Sequence, residues 1–170
     1  MPTLKPISVD AVPAALTRAE QYRRLNEPAD AESICRDVLL VEPDNQHAVR
    51  VALLAVTDQF AEDLAGAVPR AMSLLARLGP EYEHAYYAGL IAERRAKALI
   101  GGNSATSEYD ACMALRDAME WYELADQRHP HGNDEASLRW NTCARILSRL
   151  QQPVARAEDR VEIEGCAWPV

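Results

Sequence analysis

The residues that could carry out acid–base chemistry are two pairs of adjacent carboxylates, Glu62-Asp63 and Glu158-Asp159. Such catalysis needs an acid and a base that converge on one substrate. Neighbouring side chains on a helix diverge by about 100°, so neither pair can converge in this way. We therefore expect both pairs to lie on solvated faces rather than in a catalytic site.

Two imidazoles that could bind a metal stand close together, at His129 and His131 on either side of Pro130. No third ligand follows at a spacing typical of zinc sites, although Asp134 is near. We expect a polar turn between two helices at this point. The sequence predicts no metal site and no other cofactor.

The four cysteines are widely spread and form no CxxC pair; they are Cys35, Cys112, Cys143 and Cys166. Cys143 lies at helical spacing from Trp140, which favours core packing over a nucleophilic role. The chain also lacks glycine-rich phosphate loops and the common serine and metallohydrolase motifs. We predict that it is not an enzyme, and an enzyme with an unrecognised site is the least favoured alternative.

The composition is that of a folded acidic protein. The chain has 170 residues, with 48% hydrophobic and 26% charged residues and a formal net charge of −8. An acidic surface repels nucleic-acid phosphates and anionic lipids, so we expect neither as a partner. The first residues contain no apolar run, and no stretch is long enough to span a membrane. We expect a cytoplasmic protein with reduced thiols.

Prolines, glycines and capping residues divide the chain into seven predicted helices with short links. The expected ranges are about 10–25, 28–41, 44–60, 64–78, 81–100, 107–128 and 133–150. Asp44 is the expected N-cap of the third helix, and Ser107 with Asp110 resembles a capping box for the sixth. We therefore expect an extended arm over 1–10, a helical domain over 11–151 and an acidic tail over 152–170.

A spacing of four, three and five residues that ends in proline recurs along the chain. The copies are Ala31, Cys35, Val38 and Pro43; Ala118, Tyr122, Ala125 and Pro130; and, more weakly, Val68, Met72, Leu75 and Pro80. The first three positions of each copy lie on one helix face. A small residue there lets a second helix approach closely, and the proline ends the unit.

This pattern resembles the tetratricopeptide-repeat family, whose repeat of about 34 residues is a helical hairpin. Residues 12–45 match the family in length and in Tyr22, Ala31 and Pro43, although Cys35 stands where the family has an aromatic residue. The later units are longer than the family's repeat. The resemblance covers about 12–150 and implies an all-α, right-handed superhelix of three antiparallel hairpins and a capping helix.

The resemblance also implies a concave groove lined by the first helix of each hairpin. The inward polar positions would then include a peptide-binding set, namely Arg24, Arg50, Tyr86, Arg94, Asn141 and Arg145. A guanidinium group can bind a carboxylate through two parallel hydrogen bonds. We therefore expect a non-catalytic adaptor that binds a peptide segment of another protein, and an acidic peptide is the narrower form of this expectation. Two alternatives stay open. The arginines could be surface residues paired with neighbours such as Glu20, and the chain could be a structural or regulatory subunit that assembles through its convex or end surfaces.

Overall fold

The computed structural model describes residues 3–101, 105–128 and 131–150, and the side chains of 105 and 106 are not described. Within these ranges the chain is helical, with no β-strand, as the sequence predicts. A short 3-10 helix, Val9–Ala11, precedes the α-helices. These are α1 (Val12–Arg24), α2 (Pro28–Val41), α3 (Gln46–Asp58), α4 (Leu64–Leu75), α5 (Glu81–Ile100), α6 (Ala105–Asp126) and α7 (Glu135–Leu150).

The bounds of α2 and α5 agree with the predicted ones, and most other helix ends lie within two residues of them, but α4 ends at Leu75, three residues before the predicted end. Two predicted N-terminal caps are wrong. Asn45, rather than Asp44, caps α3, because its side-chain oxygen accepts a hydrogen bond of 2.9 Å from the Ala48 backbone N–H. Helix α6 begins at Ala105, so Ser107 lies inside the helix and the predicted capping box is wrong. In both places a capping-type residue stands within two positions of the true start, and sequence spacing does not decide between neighbours.

The helices pack unequally on the two sides of the array. Each helix packs against the next along the chain, and α3 also packs against both α1 and α5. The even-numbered helices α2, α4 and α6 do not pack closely on one another. The side formed by α1, α3, α5 and α7 is here called the inner face, and the side of the even helices the outer side. Because the helices of the inner face approach one another more closely than the outer ones do, open grooves lie between the outer helices.

Small residues at the repeated spacing make the close helix contacts in two of the three copies. Ala31, Cys35 and Val38 on α2 are fully buried, and so are their counterparts on α6, Ala118, Tyr122 and Ala125. In the third copy Leu75 is buried as predicted, but the first two positions are wrong by one residue. Met72 is 51% exposed, and Ala67 and Ala71 take the buried positions on α4. The smaller alanines permit the closer approach, which turns Met72 outward.

Helices α5 and α6 approach each other closely at Gly89. A Cβ atom on Gly89 would lie 2.8 Å from two ring carbons of Tyr122, closer than such atoms normally come. Tyr122 is fully buried and its hydroxyl is bonded to Glu93, so the ring has little room to move. Gly89 is therefore required by the contact with the Tyr122 ring.

We predict that Gly89→Ala destabilises the protein by about 1–3 kcal/mol, the usual cost of overpacking. Alanine has a helix propensity about 1 kcal/mol better than glycine, so the sign of the effect separates the steric clash from propensity. The measurement is the free energy of unfolding in urea. Gly79→Ala is the control, because its Cβ would meet only the Gln46 side chain at 3.9 Å. A stabilised Gly89→Ala protein would contradict the close contact.

Candidate functional site

The predicted peptide-binding residues fall into three locations. Arg50, Tyr86 and Arg94 are brought together where α3, α5 and α7 meet, and all three bond to a neighbouring helix. Arg24 is exposed near the end of α1. Asn141 and Arg145 are exposed on α7, where they line a shallow depression together with other α7 residues.

Arg94 joins α5 to α3 and, through a shared carboxylate, to α1. Its Nη1 lies 2.6 Å from Asp58 Oδ1 and donates to the Leu54 carbonyl at 3.0 Å and to Thr57 Oγ1 at 2.5 Å. The other oxygen of Asp58 accepts from Arg23 Nε at 2.8 Å. Burial lowers the pKa of Arg94, and the charge of Asp58 opposes that shift. One carboxylate thus holds two guanidinium groups from different helices.

Other cations of α1 and α3 are paired as well, namely Arg50, Arg24 and His47. Arg50 Nη1 lies 3.0 Å from both carboxylate oxygens of Glu83, which joins α3 to α5. Glu20 accepts from Arg24 at 3.2 Å within α1 and contacts His47 Nε2 on α3 at 2.7 Å. Arg24 is therefore paired with the very glutamate that the alternative interpretation named.

Tyr86 is a packing residue that links α5 to α7. It is 9% exposed, stacks on Tyr82 with ring centroids 5.9 Å apart, and donates its hydroxyl to Glu135 Oε2 at 2.8 Å. Burial, together with the hydrogen bond to Glu135, raises the pKa of Tyr86 to about 12. The hydroxyl therefore stays protonated and donates at neutral pH.

A buried carboxylate that sequence reasoning missed, Glu93, joins the last three helices. Its side chain is fully buried on α5 and accepts from Tyr122 at 2.7 Å, from Lys97 at 2.5 Å and from Arg139 at 3.3 Å. Burial alone would raise the pKa of Glu93, but the hydrogen bonds from Lys97 and Tyr122 and the nearby charges lower it. The useful sequence pattern is an acidic residue one turn before a lysine on an otherwise apolar face.

The cysteines behave as packing residues where the structure describes them. Cys35 and Cys143 are free and fully buried, and burial raises the pKa of each thiol to about 12. Such thiols are protonated at neutral pH and are poor nucleophiles. Cys112 is free and half-buried, and Cys166 lies outside the described residues.

An apolar groove lies on the outer side, between α4 and α6, and is here called the α4–α6 groove. It encloses about 610 Å³ above α5, with Ala88, Ile91 and Ala92 among its floor residues. Met72 and Trp121 line its two walls and are 51% and 38% exposed. Sequence reasoning assigned Met72 to the core because of the one-residue shift on α4, and so did not predict this groove.

The rim of the α4–α6 groove carries charges that the fold does not use. Asp117 and Glu120 line it from α6, and Arg95 lines it from α5. None of the three forms a hydrogen bond or ion pair with another described residue, in contrast to the cations of the inner face. Asp117 and Glu120 are three residues apart on a helix, so they present two free carboxylates on one side of the groove.

No protein-family model, curated protein or solved structure matches this chain. The tetratricopeptide resemblance therefore stays a prediction that depends on the residue pattern. None of the helices in the described ranges could cross a membrane. The same ranges hold no group of three side chains suited to a metal ion, and His129 and Pro130 lie outside them, as do Glu158 and Asp159.

We predict that Glu93→Gln lowers the free energy of unfolding at pH 7 by about 1–3 kcal/mol, because a charged acceptor of hydrogen bonds is lost. The folded-state pKa of Glu93 lies below its ordinary 4.5. Its stabilising contribution is thus complete above that value and is lost as pH falls through the folded pKa. The free energy of unfolding in urea is measured at pH 7 and at steps below pH 4.5. The difference in this free energy between wild type and variant should become smaller as the pH falls.

Glu62→Gln is the matched control for this measurement, because the Glu62 side chain is exposed and forms no ion pair with another described residue. Its difference from wild type should be small at every pH. A gap for Glu93→Gln that stays constant on acidification would contradict an ionised, stabilising carboxylate at this position.

Proposed function

We propose that the chain is a non-catalytic helical-repeat module that binds a segment of another protein in the α4–α6 groove. The observation that carries this proposal is an apolar groove of about 610 Å³ that the fold leaves open. Met72 and Trp121 are large apolar side chains that stay exposed on the two walls of this groove. Exposed apolar surface of this kind is typical of protein-interaction sites. The volume lies in the range of ligand-binding clefts in proteins.

The inner face is less suited to an acidic peptide than the sequence pattern suggests. Arg50, Arg94 and Arg23 each contact a carboxylate of the same chain at 3.0 Å or less. A peptide carboxylate would have to displace Asp58 or Glu83, and it would leave a partly buried charge unpaired. Arg50 and Arg94 are therefore better explained as contacts between helices than as ligands for a partner.

The shape of the groove favours a helical segment as its occupant. It lies between two helices and above a third, and its floor includes Ala88 and Ala92, small residues one turn apart that leave space above α5. An amphipathic helix that inserts its apolar face into such a groove is a common mode of peptide recognition. Met72 on one wall and Trp121 on the other would then contact that apolar face.

The charge of the groove favours a basic flank on the bound helix. Asp117 and Glu120 form two free carboxylates on the α6 side, where lysine or arginine residues of the partner would pair with them. The formal net charge of −8 also attracts a basic segment at long range. We therefore propose a basic amphipathic helix of another protein as the occupant.

Assembly through the end of the array is less well supported by the exposed residues. On α7, Leu138 is 65% exposed, but the other fully exposed positions are polar, among them Asn141, Arg145 and Arg149. A terminal capping helix needs a polar face toward the solvent, and α7 has one. The α4–α6 groove has the larger apolar surface and is the preferred site.

We predict that a labelled synthetic helix of leucine and lysine binds this protein more tightly than a matched helix of leucine and glutamate. Trp121→Ala combined with Met72→Ala should weaken that binding at least about tenfold, since central apolar anchors dominate interfaces. Fluorescence anisotropy gives both affinities. The control is Tyr109→Ala with Leu138→Ala, which removes two exposed apolar side chains (67% and 65% exposed) outside the groove.

The charge on the rim is tested by Asp117→Asn with Glu120→Gln, which should reduce both the affinity and its salt dependence. Glu62→Gln with Glu108→Gln is the control with the same change in net charge, made at exposed residues outside the groove. Equal binding of the two peptides, or equal effects of groove and control variants, would refute the proposal. A dimer in sedimentation that Trp121→Ala abolishes would assign the groove to a second copy instead.

A further inference from the structure

A second groove lies on the other side of α4, between α2 and α4, and is here called the α2–α4 groove. It encloses about 690 Å³ above α3. Three arginines line it, Arg36 from α2, Arg70 from α4 and Arg77 from the turn that follows α4. Leucines from both helices lie among them, with Leu40 71% exposed. The groove therefore combines guanidinium groups with an apolar surface.

The charges in this groove differ in sign from the net charge of the protein. Three arginines line it, against two acidic residues, Glu32 and Asp37, so its formal charge is 3 − 2 = +1 in a chain of net charge −8. Glu32 is buried and already accepts hydrogen bonds from Arg36 and from Gln59 Nε2, the latter at 2.7 Å. Its carboxylate is thus engaged at both oxygens.

Neither Arg70 nor Arg77 has a carboxylate closer than 3.4 Å among the described residues. Arg70 forms long ion pairs with Glu32 and Asp63, each at 3.4 Å, and donates to Gln59 Oε1 at 3.5 Å, while its buried Nε has no hydrogen-bond acceptor. Arg77 is exposed and donates to the carbonyl of Pro43 rather than to a carboxylate. These contacts are longer or weaker than the paired forks of the inner face, where guanidinium–carboxylate distances are 3.0 Å or less.

The N-terminal arm, as described from residue 3 onward, does not fill the α2–α4 groove. Leu4 lines it but remains 77% exposed, whereas the arm is anchored at Ile7, which packs against the buried cluster formed by α1, α2 and α3. The leucines and arginines of the groove thus stay accessible above that contact.

We propose that the α2–α4 groove is a second docking site, which takes an acidic segment of a partner protein that also carries apolar residues. The carboxylates of the segment pair with Arg70 and Arg77, and its apolar side chains contact Leu39, Leu40 and Leu74. This site is independent of the α4–α6 groove, because different residues carry it and the preferred charge of the ligand is opposite. Both sites flank α4.

The probe for this site is a labelled synthetic peptide that alternates glutamate and leucine, compared with the same peptide carrying glutamine for glutamate. The full-length protein should bind the glutamate peptide in a salt-sensitive manner and the glutamine peptide at least about tenfold more weakly. Arg70→Gln with Arg77→Gln should remove that preference. Arg145→Gln with Arg149→Gln, exposed arginines on α7, is the control with the same loss of charge.

Three results would overturn this inference. The first is equal binding of the two peptides by the wild type. The second is an equal loss of binding in the α7 control, which would show a general charge effect. The third is a marked gain in affinity for the glutamate peptide in the variant Glu162→Gln with Glu164→Gln, because it would show that the chain's own acidic tail competes for the groove. Binding of the leucine–lysine helix serves as a folding check, since Arg70→Gln with Arg77→Gln should leave it unchanged.

Discussion

Contact among the odd-numbered helices of the inner face is the constraint on which the rest of this structure depends. Where α1, α3 and α5 touch, their facing polar side chains bond to one another, and Asp58 pairs with two arginines at once. Arg50 with Glu83, and Glu93 with Arg139, do the same at the neighbouring contacts. Because the inner helices are held close, the outer ones stand apart, and the two grooves beside α4 exist for that reason.

Much of the fold could be predicted from the sequence, because helix boundaries depend on local chemistry. Proline, glycine and capping residues gave all seven helices, and the bounds of α2 and α5 agree with the expected ones. Two of the three repeated small-residue patterns mark buried helix contacts. The third was placed one residue too late, since Val68–Met72 and Ala67–Ala71 both satisfy the spacing and only the packing of α4 selects the alanines.

The candidate sites were harder to predict, because the role of an arginine depends on what faces it from other helices. Arg94 and Arg70 look alike in the sequence. Arg94 lies 2.6 Å from Asp58, a residue 36 positions earlier in the chain. Arg70 has only longer carboxylate contacts, with Glu32 and Asp63. The exposure of Trp121 likewise depends on the gap between α4 and α6. Neither property follows from spacing along one helix.

The shared role of α5 has a mechanical consequence. One buried cluster joins it to α3 and α4, and a separate cluster, which includes Tyr122 and Cys143, joins it to α6 and α7. Its contact with α6 is far more extensive than its contact with α4. The contact between α4 and α5 is thus the least extensive one between consecutive α-helices, and the α4–α6 groove lies directly over it. A helix bound there would contact both α4 and α6. Its binding free energy would therefore stabilise α1–α4 and α5–α7 against separate unfolding and make them unfold as one cooperative unit.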